Sequence, residues 1–133
     1  KAADRMIVLY DDMDLPLGMV KLSYDRGSGG HKGLESIMRA VKTKKFTRVR
    51  IGVSPTSATG VLKKPKGEKE VLKFILAKFK PSESAEMKRS VSRAAEAVLS
   101  IIDRGTLAAM NEFNRSQSIL PCDAFYDSCL PSS

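Results

Sequence analysis

"MIVLYDDMDLPLGMVKLSYDRGSGGHKGLESIMRAV", residues 6–41, decides the fold. Its opening run, Met6 to Tyr10, is continuously apolar, as a buried strand of an α/β sheet requires. "DDMDLPLG" ends that run with Asp11, Asp12 and Asp14 and a prolyl turn. In the next segment Val20, Leu22 and Tyr24 alternate with Met19, Lys21 and Ser23, the pattern of a half-buried strand. A glycine-rich loop follows, and from Gly33 the residues Leu34, Ile37, Met38 and Val41 fall on one helical face, with Glu35 and Arg39 paired outside. Strand, turn, strand, glycine loop and helix in this order predict an α/β sheet with a loop feeding a helix N-terminus.

The rest of the chain extends that plan. In "TRVRIGV" Thr47, Val49, Ile51 and Val53 share one side of a strand, and Arg48, Arg50 and Gly52 the other. The lysine-rich segment 54–69, broken by proline and glycine, reads as a surface loop. A helix is expected over "EVLKFILAKF", and a longer one after Pro81 with Met87, Val91, Ala94, Ala95, Val98 and Ile102 as its buried stripe. Gly105 stops it, and Thr106 is placed to cap a last helix, "LAAMNEFN". Residues 1–114 thus form one α/β domain, and 115–133 an irregular tail without periodicity.

A formal charge of +8 and a pI near 9.7 point to a polyanionic partner. No apolar run reaches membrane-spanning length, so no membrane partner is expected. Cys122 and Cys129 sit in the tail without a second pair or a neighbouring histidine. They read as free thiols in a reducing compartment, cytoplasm or mitochondrion.

The glycine loop does not carry a nucleotide-binding signature: there is no G-x-x-x-x-G-K-[ST], and Gly27, Gly29, Gly30 and Gly33 do not fall as G-x-G-x-x-G. A single histidine with scattered acids offers too few nitrogen or sulfur ligands for zinc, and no metal or other cofactor is expected. Two residues carry the chemical interest. Asp11 lies at the carboxyl end of a strand, where open α/β sheets place their sites. His31 lies in a loop with little side-chain bulk, which a ligand can approach closely.

"YDDMDLPLG", "GSGGHKGLESI", "RVRIGV" and "AMNEFN" occur in the order, and with nearly the spacing, of the bacterial-type peptidyl-tRNA hydrolases, and residues 6–114 resemble that family. The resemblance implies a single α/β domain, a mixed sheet between helices in three layers, and hydrolysis of the ester joining a peptide to the 3′ end of tRNA. It implies that Asp11 orients a catalytic histidine and that His31, with Gly30 and Lys32, belongs to the substrate loop. Arg50, with Arg48, Lys21 and Arg26, would contact tRNA, and the protein would act as a monomer without a cofactor. The family's catalytic histidine lies in an N-terminal segment that the resemblance places before Lys1, so this chain by itself is expected to be inactive. Lys32 stands where the family has Asn, and Ser23 where it has a lysine. The competing reading is a non-catalytic RNA-binding protein of the same fold.

Overall fold

The structure, a computed structural model, describes residues 2–115. The tail from residue 116, with Cys122 and Cys129, lies outside the described residues. After a 3-10 turn at Ala2–Arg5 come β1 (Ile7–Pro16), β2 (Val20–Tyr24), α1 (Lys32–Val41), β3 (Thr47–Ser54), α2 (Glu68–Leu76), α3 (Pro81–Arg104) and α4 (Thr106–Arg115). The strands form a mixed sheet in the order β1-β3-β2, with β1 parallel and β2 antiparallel to β3. The expected mixed α/β architecture is therefore present.

β3 is central, and its two faces define the layers. Val49, fully buried, meets Val20 and Leu22 of β2 and a helical layer of Ala94, Ala97 and Ile101 from α3 and Ala109 and Phe113 from α4. Each fully buried Val or Leu side chain contributes about 1.5–3 kcal/mol by leaving water. On the opposite face Arg48 reaches the carbonyl of Gly27 and the sulfur of Met38, so the glycine loop and α1 form the third layer. Asn114 joins the last helix to the sheet: its side chain accepts from Leu22 N–H at 2.9 Å and donates to Leu22 C=O at 3.0 Å.

Four expectations need correction. β1 does not stop at Tyr10 but runs on to Pro16, with a register slip between Asp12 and Pro16. Gly52 makes this possible, because a Cβ there would lie 2.0 Å from the Pro16 carbonyl oxygen. Among the described residues β1 pairs on one side only, and it is not fully buried, with Leu9 48% exposed. The buried stripe of α3 is Ser90, Ala94, Ala97 and Ile101, one step around from the expected one, leaving Val91 and Ile102 exposed. The small side chains let the helix approach the sheet closely, so size outweighed hydrophobicity in setting the face. Finally, Thr106 does not cap: it is the first residue of α4, and its hydroxyl bonds the Thr47 hydroxyl at 2.6 Å.

Candidate functional site

Beside the register slip, at the end of β1, lies a cavity of about 640 Å³. Its floor is the strand end from Tyr10 to Asp14, one wall is the glycine loop from Arg26 to Gly33, and the other is Val71, Leu72 and Ile75 of α2. The helix α2 buries none of its own residues and gives this wall its apolar character. Two ion pairs tie the α2 segment to the rest of the cavity, Lys32 with Glu68 and Lys64 with Asp14. The hydrogen bond to Glu68, reinforced by its charge, raises the pKa of Lys32, and the same bond lowers that of Glu68. The contribution of Glu68 is therefore lost only as pH falls below the ordinary glutamate range, and that of Lys32 only as pH rises above the ordinary lysine range. The tie is intact across neutral pH.

Asp11 and His31, twenty residues apart, meet at 3.1 Å between Oδ1 and Nε2. The reason is local. His31 is the N-cap of α1, and its Nδ1 accepts the free N–H of Leu34 at 3.1 Å. With Nδ1 accepting, the neutral ring carries its proton on Nε2, which donates to Asp11. Tyr10 closes the other side of the ring edge-on, at 5.2 Å between centroids. Both ring nitrogens are thus committed. As the chain's only histidine, His31 gives a single clean set of resonances, and long-range ¹H–¹⁵N spectra are expected to show the Nε2–H tautomer at neutral pH. An Nδ1–H pattern would mean that the helix cap is not formed in solution.

The cavity brings together Asp11, Arg26, Gly30, His31, Lys32 and Arg50. It does not gather Arg48 and Lys21. Lys21 sits opposite Arg50 on β2, away from the lining. Arg48 and Arg50 do share a face, as the alternation predicts, and both side chains are buried there. Arg50 is 7% exposed and its Nε donates to Asp12 at 2.7 Å, while Arg48 is fully buried beneath the glycine loop. Sequence reasoning missed Asp12 as the partner of Arg50, Glu68 as the partner of Lys32, and the α2 wall. These are contacts across 36 to 38 residues, for which the sequence carries no local signal. Among the described residues no three His, Cys, Asp or Glu side chains are grouped to hold a metal ion, and no helix is long and apolar enough to cross a membrane.

Comparison with known proteins gives a consistent result. The family model for peptidyl-tRNA hydrolase matches residues 1–120. The peptidyl-tRNA hydrolase of Aquifex aeolicus is 35% identical over 116 residues, covering 87% of this chain and 56% of that protein. That of Persephonella marina is 32% identical over 112 residues, covering 84% and 54%. The crystal structure of peptidyl-tRNA hydrolase from Acinetobacter baumannii superposes with a TM-score of 0.67 at 26% identity, over 81% of this chain and 50% of that one. The chain thus spans about half the length of the relatives it matches.

Proposed function

This chain belongs to the peptidyl-tRNA hydrolase family, and from that premise we propose that its cavity receives the 3′ end of a peptidyl-tRNA for hydrolysis of the ester that joins the peptide to the terminal ribose. The observation that carries this reading is the Asp11–His31 pair, held at 3.1 Å in a cleft with one apolar wall and with Arg26, Lys32 and Lys64 in its lining. An anionic carboxylate fixed by a neutral imidazole is set to hold the proton of an attacking water's general base in one orientation. The apolar wall of Val71, Leu72 and Ile75 suits peptide side chains of no single kind. The excess positive charge suits the tRNA backbone.

The residues proposed for the substrate are Asp11 as the orienting carboxylate, and His31, Gly30 and Lys32 on the loop. Arg26, exposed at the cavity rim, is the proposed phosphate contact in place of the covered Arg48 and Arg50. Arg26→Ala is expected to weaken tRNA binding and to reduce the slope of log K against log salt by about one unit. An unchanged slope in a folded variant removes Arg26 from the interface. Lys32 is proposed to act at the 3′ end and not on the tRNA body. Lys32→Asn breaks the tie to Glu68 and restores the family's amide. Turnover is expected to change more than affinity for the tRNA body when the two are measured separately in a catalytically competent form. Loss of affinity alone would make Lys32 a further phosphate contact.

A further inference from the structure

Arg48 is a fully buried cation with no carboxylate partner among the described residues. A charge in that position is costly unless dipoles surround it. Here they are main-chain carbonyls: Nη1 donates to Gly27 C=O at 2.8 Å, and Nη2 donates to Arg26 C=O and, at 3.4 Å, to Lys44 C=O. The guanidinium also lies 4.7 Å from the centroid of Phe46.

The peptide groups that Arg48 holds have a second end. No peptide bond among the described residues is cis, and in a trans peptide the N–H points opposite to the C=O. With the carbonyls of Arg26 and Gly27 turned inward to Arg48, the N–H groups of Gly27 and Ser28 turn away from it. Gly27 and Ser28 line the cavity, whereas Arg48 does not, so the loop backbone stands between the buried charge and the cleft. Neither N–H meets an acceptor among the described residues. A Cβ built on Gly27 meets nothing within 4 Å, and the residue is not in the left-handed region. An alanine at this position is therefore accommodated and keeps the N–H donor.

We infer that the N–H groups of Gly27 and Ser28 form an anion-binding subsite of the cavity, polarised from behind by the Arg48 guanidinium. Two adjacent donors with a positive charge behind them are the arrangement by which loops bind phosphate and stabilise oxyanions. The Ser28 hydroxyl is not part of it, because it donates to Glu35 at 2.8 Å and accepts Gly30 N–H at 3.2 Å. Glu35 and Asp14, the latter 3.7 Å from the Cβ position of Gly29, confine an anion to the Gly27–Ser28 side of the loop. Resting on the reading above, the ligand is an anionic oxygen of the substrate's acceptor end: a phosphodiester of the 3′ terminus, or the oxyanion formed at the ester carbonyl. Arg48 is then a positioning residue, acting through the peptides it holds.

The test is a titration of the ¹⁵N-labelled chain with inorganic phosphate, read at each amide. Gly27 and Ser28 N–H are expected to move downfield together and to saturate. Gly27→Ala, which keeps the donor, is expected to bind as the parent does. Gly27→Pro, which removes it, should weaken binding roughly tenfold, and Arg48→Lys, which cannot span both carbonyls, should weaken it similarly. Phosphate shifts confined to surface lysine neighbours, with Gly27 and Ser28 unmoved, overturn the subsite. So does a folded Gly27→Pro that binds like the parent. Should Gly27→Pro or Arg48→Lys fail to fold, the parent and Gly27→Ala titrations still decide. Two further ligands separate the sources. A CCA trinucleotide that moves the two amides assigns a phosphodiester, and an adenosine phosphonate that alone moves them assigns the oxyanion. Phosphate binding without a response to either ligand leaves the subsite standing and counts against the tRNA reading.

Discussion

Asp12→Ala is expected to lower the unfolding free energy by about 3–5 kcal/mol, the cost of leaving a buried charge without its partner. The side chains of Arg50 and Asp12 are 8% and 10% exposed, and they meet at 2.7 Å between Nε and Oδ2. Removing the carboxylate leaves the guanidinium in a site that water reaches poorly, and it also frees Asp14 N–H, which donates to Asp12 at 2.7 Å. For a domain whose total stability is of the order of 5–15 kcal/mol, the loss is a large fraction of the whole. Urea unfolding measures it as a fall in midpoint with unchanged slope. Replacing both partners together, as Asp12→Leu with Arg50→Met, is expected to cost much less, because no charge is then stranded. A loss below about 1 kcal/mol in Asp12→Ala would mean that the pair is solvated and behaves as a surface bridge.

This prediction turns on a face of β3 that alternation located and whose cover it did not. The pattern "TRVRIGV" places Arg48 and Arg50 on one side, and the structure agrees. Whether that side meets water depends on the glycine loop folding back over it, a contact across 21 residues that no local pattern encodes. Local signals served well where one residue decides an outcome: Gly105, with φ of 86°, ends α3, and the glycine loop does open α1. They failed where two segments negotiate. In α3 the apolar residues Val91 and Ile102 drew the buried stripe toward themselves, but Ser90, Ala94 and Ala97 fit the space above Val49, Leu22 and Val20. Asp11 and His31 were both legible as candidates, from a strand end and a sparse loop. Their meeting was not, because it follows from His31 capping α1 at the distance from β1 that Nε2 spans.

The 133-residue chain by itself is expected to cleave peptidyl-tRNA about 10²–10⁴-fold more slowly than a form that also carries the family's N-terminal histidine segment. A general base needs an unshared pair aimed at the water it activates, and His31 is the only imidazole in the chain. Its Nδ1 pair is taken by Leu34 N–H, and its Nε2 carries the proton given to Asp11. To serve as base, His31 would have to abandon the cap, at a cost of roughly 0.5–2 kcal/mol, and exchange tautomers before each turnover. Asp11 is no substitute, since a carboxylate is a much weaker general base toward water than an imidazole. What Asp11 can do is hold a second imidazole, and His31 Nε2 engages only its Oδ1 at 3.1 Å. A histidine supplied from outside the described residues would find Oδ2 as its acceptor. Single-turnover cleavage is the measurement, on the chain, on His31→Ala, and on the extended form with and without Asp11→Asn. The extended form is expected to lose about 10²-fold or more with Asp11→Asn, and His31→Ala in the chain to change little. Robust cleavage by the chain that disappears in His31→Ala would overturn the argument and make His31 the base.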